Sequence, residues 1–294
     1  MTLDRLAPAI FVFLWSTGWV AAKYAGFYAD PLTFLTIRFA VAAVIFYGLC
    51  RVAGVAWPRG RMSIVHVILS GAFLHGLYLG MVWWAIGQGV PAAISGIIAG
   101  LQPLMTAVAA PLIVGERLAI WQKVGLGLGF LGIGIAVLPN LFALGDNAIP
   151  AFAVMINVIG MGFVTLGTLY QKRFVRDGDL RSVATLQYVG AVAVTLPAAM
   201  LLEDLHVDWQ IGFFVTMIWS VVGISMGAIL LLLYLIRRGA VSKAASLIYL
   251  VPPLAALEAA IVFGERLTVP MIIGTVLAVV GVYLTNRRGA ERQA

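Results

Sequence analysis

Apolar residues in this chain do not recur at the period of an amphipathic helix or a half-buried strand. They run almost unbroken for about 20 residues at a time, the length a helix needs to cross a bilayer. Ten such runs are separated by charge or by Gly/Pro punctuation. The first five are Ala7 to Tyr24, Leu32 to Arg51, Ser63 to Ile86, Pro91 to Val114 and Trp121 to Leu138. The second five are Pro150 to Gln171, Ser182 to Leu202, Ile211 to Ile236, Ser242 to Phe263 and Pro270 to Asn286. Transmembrane barrels are built of short alternating segments, so continuous runs predict an all-α membrane protein of ten transmembrane helices. The first run contains Trp15, Ser16, Thr17 and Trp19, and nine runs follow it, so it reads as a retained helix rather than a signal peptide.

Composition agrees with lipid as the main solvent. Of 294 residues, 62% are apolar and 11% charged, with a mean hydropathy of +1.03. Soluble domains carry about 25% charged residues. Ten helices use about 200 residues and leave no room for a sizeable soluble domain. The formal charge of +7 would suggest nucleic acid in a soluble protein, but here it reports topology. With the N-terminus in the cytoplasm, 16 of the 19 Lys and Arg fall at inner loops and termini, against Lys23 and Arg266 outside and Arg38 within a span. Both termini are then cytoplasmic. One cysteine, Cys50, forms no internal disulfide, and His66, His75 and His206 have no metal-ligand spacing. No metal, cofactor or nucleic-acid partner is expected.

The chain also repeats itself. A shift of 149 positions lays Gly115-Glu116-Arg117-Leu118 on Gly264-Glu265-Arg266-Leu267, with 11 identities over the 32 positions from Leu101 to Gly132. The same shift pairs Gly18 with Gly167, Lys23 with Lys172, Asp30 with Asp179 and Thr36 with Thr185. Residues 1–145 and 146–294 therefore read as two five-helix units. An odd number of spans inverts the second unit, and inverted repeats around a midplane site mark secondary transporters.

These features resemble the drug/metabolite transporter superfamily, in its ten-helix branch built of two EamA units. The resemblance rests on Leu14-Trp15-Ser16-Thr17-Gly18 with Lys23, on Arg38, and on Leu101-Gln102-Pro103-Leu104 followed by Gly115-Glu116-Arg117-Leu118 and Gly125. The last block returns as Leu250-Val251-Pro252-Pro253 and Gly264-Glu265-Arg266-Leu267. Two departures stand out: Trp-Ser-Thr-Gly replaces the usual Trp-Gly, and Gln187 stands where a second Arg38 would project. The resemblance implies a bacterial-type inner-membrane carrier of small organic solutes with a central cavity, often an exporter, amino acids and aromatic ones among the cargoes.

Polar groups at the bilayer midplane are costly and so are binding candidates. Counting to the middle of each span gives Trp15, Ser16, His75, Tyr78, Gln102, Asn157, Ser225 and Tyr249 as a substrate-binding layer. Trp83 and Trp84 lie near an outer end and read as interfacial belt. Pro103 and Pro252, at equivalent midspan positions, read as hinges or static kinks. Arg38 and Glu258 lie at matching depths and read as a gating or structural ion pair. Glu116 and Glu265 read as caps of the helix that follows each. The run Gly127 to Gly132 matches a dinucleotide fingerprint formally but lacks its strand–turn–helix context, and Gly125 with Gly129 instead offers a face for close helix packing.

An intramembrane enzyme would need a catalytic constellation, and away from their ends the spans hold only Arg38, Glu258, His66 and His75 as acidic, basic or imidazole groups. A channel would need a filter motif, and a primary pump an ATP-binding motif. The reading is a secondary transporter, monomer or weak dimer, exporting hydrophobic or aromatic amino acids by alternating access. The alternative is a multidrug or other metabolite exporter of the same superfamily.

Overall fold

A computed structural model describes residues 2–114, 119–142, 149–227, 231 and 250–286. They are almost wholly helical, with one isolated antiparallel bridge, Ala29 to Val207, among the described residues. The helices are α1 (Thr2–Ala25), α2 (Pro31–Ala53), α3 (Arg61–Gly87), α4 (Ala92–Ile98), α5 (Leu101–Val114) and α6 (Ile120–Leu141). The remainder are α7 (Ala151–Phe174), α8 (Leu180–Leu202), α9 (Ile211–Gly227), α10 (Val251–Phe263) and α11 (Val269–Asn286). Among the described residues, six stretches, namely α2, α3, Ala92–Ala109, α6, α7 and α8, are long and apolar enough to cross a membrane, and α9, α10, Ala9–Ala25 and Val269–Thr285 are shorter apolar helices. The molecule is a multi-pass helical membrane protein.

Local chemistry sets the helix ends. Asp30 and Pro31 open α2, where proline loses no hydrogen bond, and Gly54 closes it at φ 58 in the left-handed region. Asp179 opens α8 and accepts the Arg181 N–H at 2.9 Å. The expected fourth span is not continuous, since the chain breaks at Ala99–Gly100 between α4 and α5. Pro103 therefore sits in the first turn of α5 and Pro252 in the first turn of α10. Backbone N–H groups at the start of α5 have no helical acceptor to lose, so Pro103 frees no carbonyl from within a helix. This corrects the midspan kink expected of Pro103; the residues immediately preceding Leu250 lie outside the described residues.

Two helices carry a wider, π-helical stretch: Ala72–Leu77 within α3 and Trp219–Gly227 at the end of α9. The 149-residue shift places the first inside the second. Such insertions re-aim the side chains around them and cluster at functional sites.

Backbones approach closely along two seams. A methyl added at Gly125 would meet the Gly281 carbonyl oxygen at 2.6 Å, and one at Gly132 would meet that of Gly274 at 2.5 Å. The 149-residue shift exchanges these two α6–α11 contacts, so the glycine face packs within the chain. Gly71 on α3 abuts the Gln187 backbone of α8, and Gly190 on α8 abuts the Ile68 carbonyl of α3.

Loops tie the matched halves at both ends. Asp30 N–H donates to the His206 carbonyl at 3.1 Å, and Asp179 N–H donates to that of Ala56 at 3.0 Å. Near Asp179, the Asp177 carboxylate accepts from the Ser63 hydroxyl and, at 2.7 Å, from the Arg59 N–H. The Ser63 bond first, then the Arg59 bond, hold its pKa below the ordinary carboxylate value. At the opposite end Glu203 accepts from the Leu32 and Thr33 N–H groups, each at 2.8 Å, capping α2. Glu265 accepts from Ala92 N–H at 3.0 Å and Ala93 N–H at 2.8 Å and pairs with Lys23 Nζ at 2.6 Å. It thus caps α4, in the other unit, and not the next helix as its position in the chain suggests. Glu116 lies outside the described residues.

Candidate functional site: a cavity between the helices

The substrate-site candidates come together only in part. A cavity of about 320 Å³ lies among α1, α2, α3, α5, α7, α8 and α9. Trp15, His75, Tyr78, Gln102 and Ser225 line it. The π-helical stretches bring His75 and Ser225 to its wall. The His75 ring lies 5.1 Å from that of Tyr188 and 6.2 Å from that of Phe39.

Ser16 and Asn157 lie at the expected depth but off the lining. Both are fully buried: Ser16 Oγ donates to Glu258 Oε1 at 2.6 Å, and Asn157 Nδ2 donates to Ser95 Oγ at 2.7 Å. They join helices to one another rather than facing the cavity. Tyr249 lies outside the described residues.

Arg38 and Glu258 do not meet. The salt bridges among the described residues are Lys23–Glu265 and Arg181–Asp179. Arg38 donates through Nη2 to Ser225 Oγ at 3.1 Å and lies over the rings of Trp83 and Phe39, at 5.6 and 5.8 Å from their centres. Each charge is held by a serine hydroxyl in place of the other, which corrects the ion pair expected from their depths.

Several lining residues escape a count of spans. Trp83, expected in an interfacial belt, is 2% exposed, stacks on Phe34 at 5.5 Å and lines the cavity, as does Trp19. Thr168, Gln171, Gln187 and Tyr188 line the α7–α8 side. Gln187 Nε2 donates to Ser70 Oγ and to Gln171 Oε1, both at 3.0 Å. The signal for Gln187 and Tyr188 was the repeat itself, which pairs them with Arg38 and Phe39. Phe39 on α2 and Tyr188 on α8 stack at 5.8 Å. Among the described lining residues there are aromatic walls, scattered amides and hydroxyls, one guanidinium and no carboxylate.

The model of the EamA-like transporter family matches residues 6–138 and 151–287. The chain belongs to that family. Among its relatives is the uncharacterized transporter YvbV of Bacillus subtilis (strain 168), 26% identical over 100% of this chain and 94% of the relative. A protein of Escherichia coli (strain K12) named a probable amino-acid metabolite efflux pump is 24% identical over 96% and 94%. The uncharacterized inner membrane transporter YedA of the same strain is 25% identical over 86% and 83%. A solved crystal structure with a TM-score of 0.68 covers all of both chains at 19% identity and shares the fold. The two EamA-like matches supply the cavity jointly, α1, α2, α3 and α5 from the first and α7, α8 and α9 from the second. A family of transporters, not of enzymes, is the setting in which this cavity has to be understood.

Proposed function

We propose that this EamA-like transporter is a secondary carrier that exports hydrophobic or aromatic amino acids across a bacterial-type inner membrane. Residues 1–145 and 146–294 act as two inverted five-helix repeats that alternate access to a shared cavity. The observation that carries the reading is that cavity, whose about 320 Å³ falls at the small end of ligand pockets, roughly 300–1,000 Å³. Its walls of Trp15, Trp19, Tyr78, Trp83 and Tyr188 suit a flat apolar side chain, and Gln102, His75 and Ser225 suit the polar backbone of an amino acid. Contacts exchanged by the 149-residue shift, Gly125 with Gly281 and Gly132 with Gly274, support two like halves. The outward direction is supported by the relative named as an amino-acid metabolite efflux pump.

The test is counterflow in proteoliposomes with a panel of radiolabelled amino acids and a cationic drug, with and without a pH gradient. Counterflow of phenylalanine, tryptophan or leucine is expected, and its loss in a normally inserted His75→Ala variant. Absence of counterflow for every amino acid would sink the reading, and movement of the drug alone would favour a multidrug exporter. Stimulation by the gradient would separate proton coupling from facilitated diffusion.

A further inference from the structure

Arg38 is the one fixed charge on the described wall of the cavity, and it has no counterion among the described residues. The residue is 4% exposed, and Ser225 Oγ is the acceptor recorded for its guanidinium. Its Nε is buried with no hydrogen-bond partner. The rings of Phe39 and Trp83 offer their faces to the cation but no acceptor in the guanidinium plane. Of the 12 acidic residues in the sequence, Glu258 alone falls within an expected span. Its carboxylate accepts from Ser16 through Oε1, has no partner at Oε2 among the described residues, and lies off the cavity lining. A buried guanidinium held by one neutral hydroxyl has paid for desolvation without the charge partner that usually offsets it. At the repeat-equivalent position stands Gln187, a neutral amide whose nitrogen already donates to two acceptors. The cavity is therefore electrostatically one-sided.

We infer that Arg38 is a carboxylate anchor, and that the cargo is a small organic acid whose apolar or aromatic body lies against the tryptophan and tyrosine walls. A carboxylate supplies both the missing charge and a planar pair of acceptors matching the guanidinium fork. No described acidic side chain lines the cavity to receive an ammonium group, so the carboxylate is required and the amine is dispensable. This assignment deepens the proposed amino-acid export and rests on it for the cargo's size and shape.

The experiment compares three ligands of one shape. Phenylalanine counterflow in proteoliposomes is challenged with 3-phenylpropionate, which lacks the amine, and with phenethylamine, which lacks the carboxylate. Inhibition by 3-phenylpropionate and not by phenethylamine is expected. Equal inhibition, or stronger inhibition by phenethylamine, overturns the assignment without needing any variant. Arg38→Gln is expected to raise the KM for phenylalanine by about tenfold or more, the scale of one charge-assisted pair. Arg38→Lys is expected to fall between Arg38→Gln and the unaltered protein. An unchanged KM in Arg38→Gln also overturns it. If no amino acid shows counterflow, the amino-acid reading fails by itself. Quenching of Trp15, Trp19 and Trp83 fluorescence in purified protein then decides the anchor: a response to 3-phenylpropionate and not to phenethylamine upholds it, and any other pattern removes it.

Discussion

Serine hydroxyls, and not each other's opposite charge, engage Arg38 and Glu258. Ser16 engages Glu258 at 2.6 Å and Ser225 engages Arg38 at 3.1 Å. Asp177, outside the spans, shows the contrasting case of a carboxylate well supplied with donors, from Ser63 and Arg59. Its pKa is depressed in the folded protein, so its contribution to stability is present above the unfolded value, near 3.9, and is lost as pH falls through the folded one. The gap in melting temperature between the unaltered protein and Asp177→Asn is expected to hold from pH 7 to about 5 and to close below about pH 4. Thermal scans in detergent measure it, and a gap that widens on acidification would refute the assignment. Depth along a span was enough to find Trp15, His75, Tyr78, Gln102 and Ser225 at the cavity. Depth does not say which way a side chain points, which is why Ser16 and Asn157, in the same layer, belong to helix contacts instead.

Among the elements, the start of α4 and Lys23 near the end of α1 share a single acid. Glu265 caps α4 and pairs with a lysine that is 31% exposed, so the cap should outweigh the ion pair. Glu265→Ala is expected to cost about 1–2 kcal/mol, and Lys23→Met about half of that or less, in chemical unfolding from detergent. Equal costs would mean that the charge pair dominates. The ends of most spans were legible because charge and Gly/Pro punctuation mark where backbone leaves lipid, as at Asp30-Pro31 and Gly54. The interruption at Ala99–Gly100 was not, because apolar residues continue on both sides of it and composition does not change. Nor were the π-helical stretches, since no residue type distinguishes Ala72–Leu77 from the helix around it. By adding residues to the turn, they rotate everything beyond them and so decide which face of α3 and α9 meets the cavity. Partners chosen by chain proximity failed for the same reason at Glu265, whose neighbour in space is 172 residues away.

For the whole molecule, the repeat was the most informative reading, because it predicted equivalences that distance along the chain hides. Phe39 and Tyr188, one such pair, stack at 5.8 Å, and Asp30 and Asp179 tie their helices to loops of the opposite half. The same shift carries Lys23 and Glu265 onto Lys172 and Glu116. If the halves exchange roles, each set closes in one of two states. Lys23→Cys with Glu265→Cys is expected to form a disulfide in the state seen here, and Lys172→Cys with Glu116→Cys in the opposite one. Each link should stop counterflow until reduced, as read in proteoliposomes before and after dithiothreitol. Transport that persists through either link would argue against alternation between these sets. The α6–α11 seam limits what such an exchange can involve. Neither helix lends a residue to the described cavity wall, and their backbones touch at two glycine pairs with no side chain between. Sliding one helix past the other by a single residue would set a Cβ-bearing position against a carbonyl. If the halves do exchange roles, those close contacts are expected to keep α6 and α11 together as one unit, and the seam would then be a fulcrum of fixed length around which the remaining helices swing.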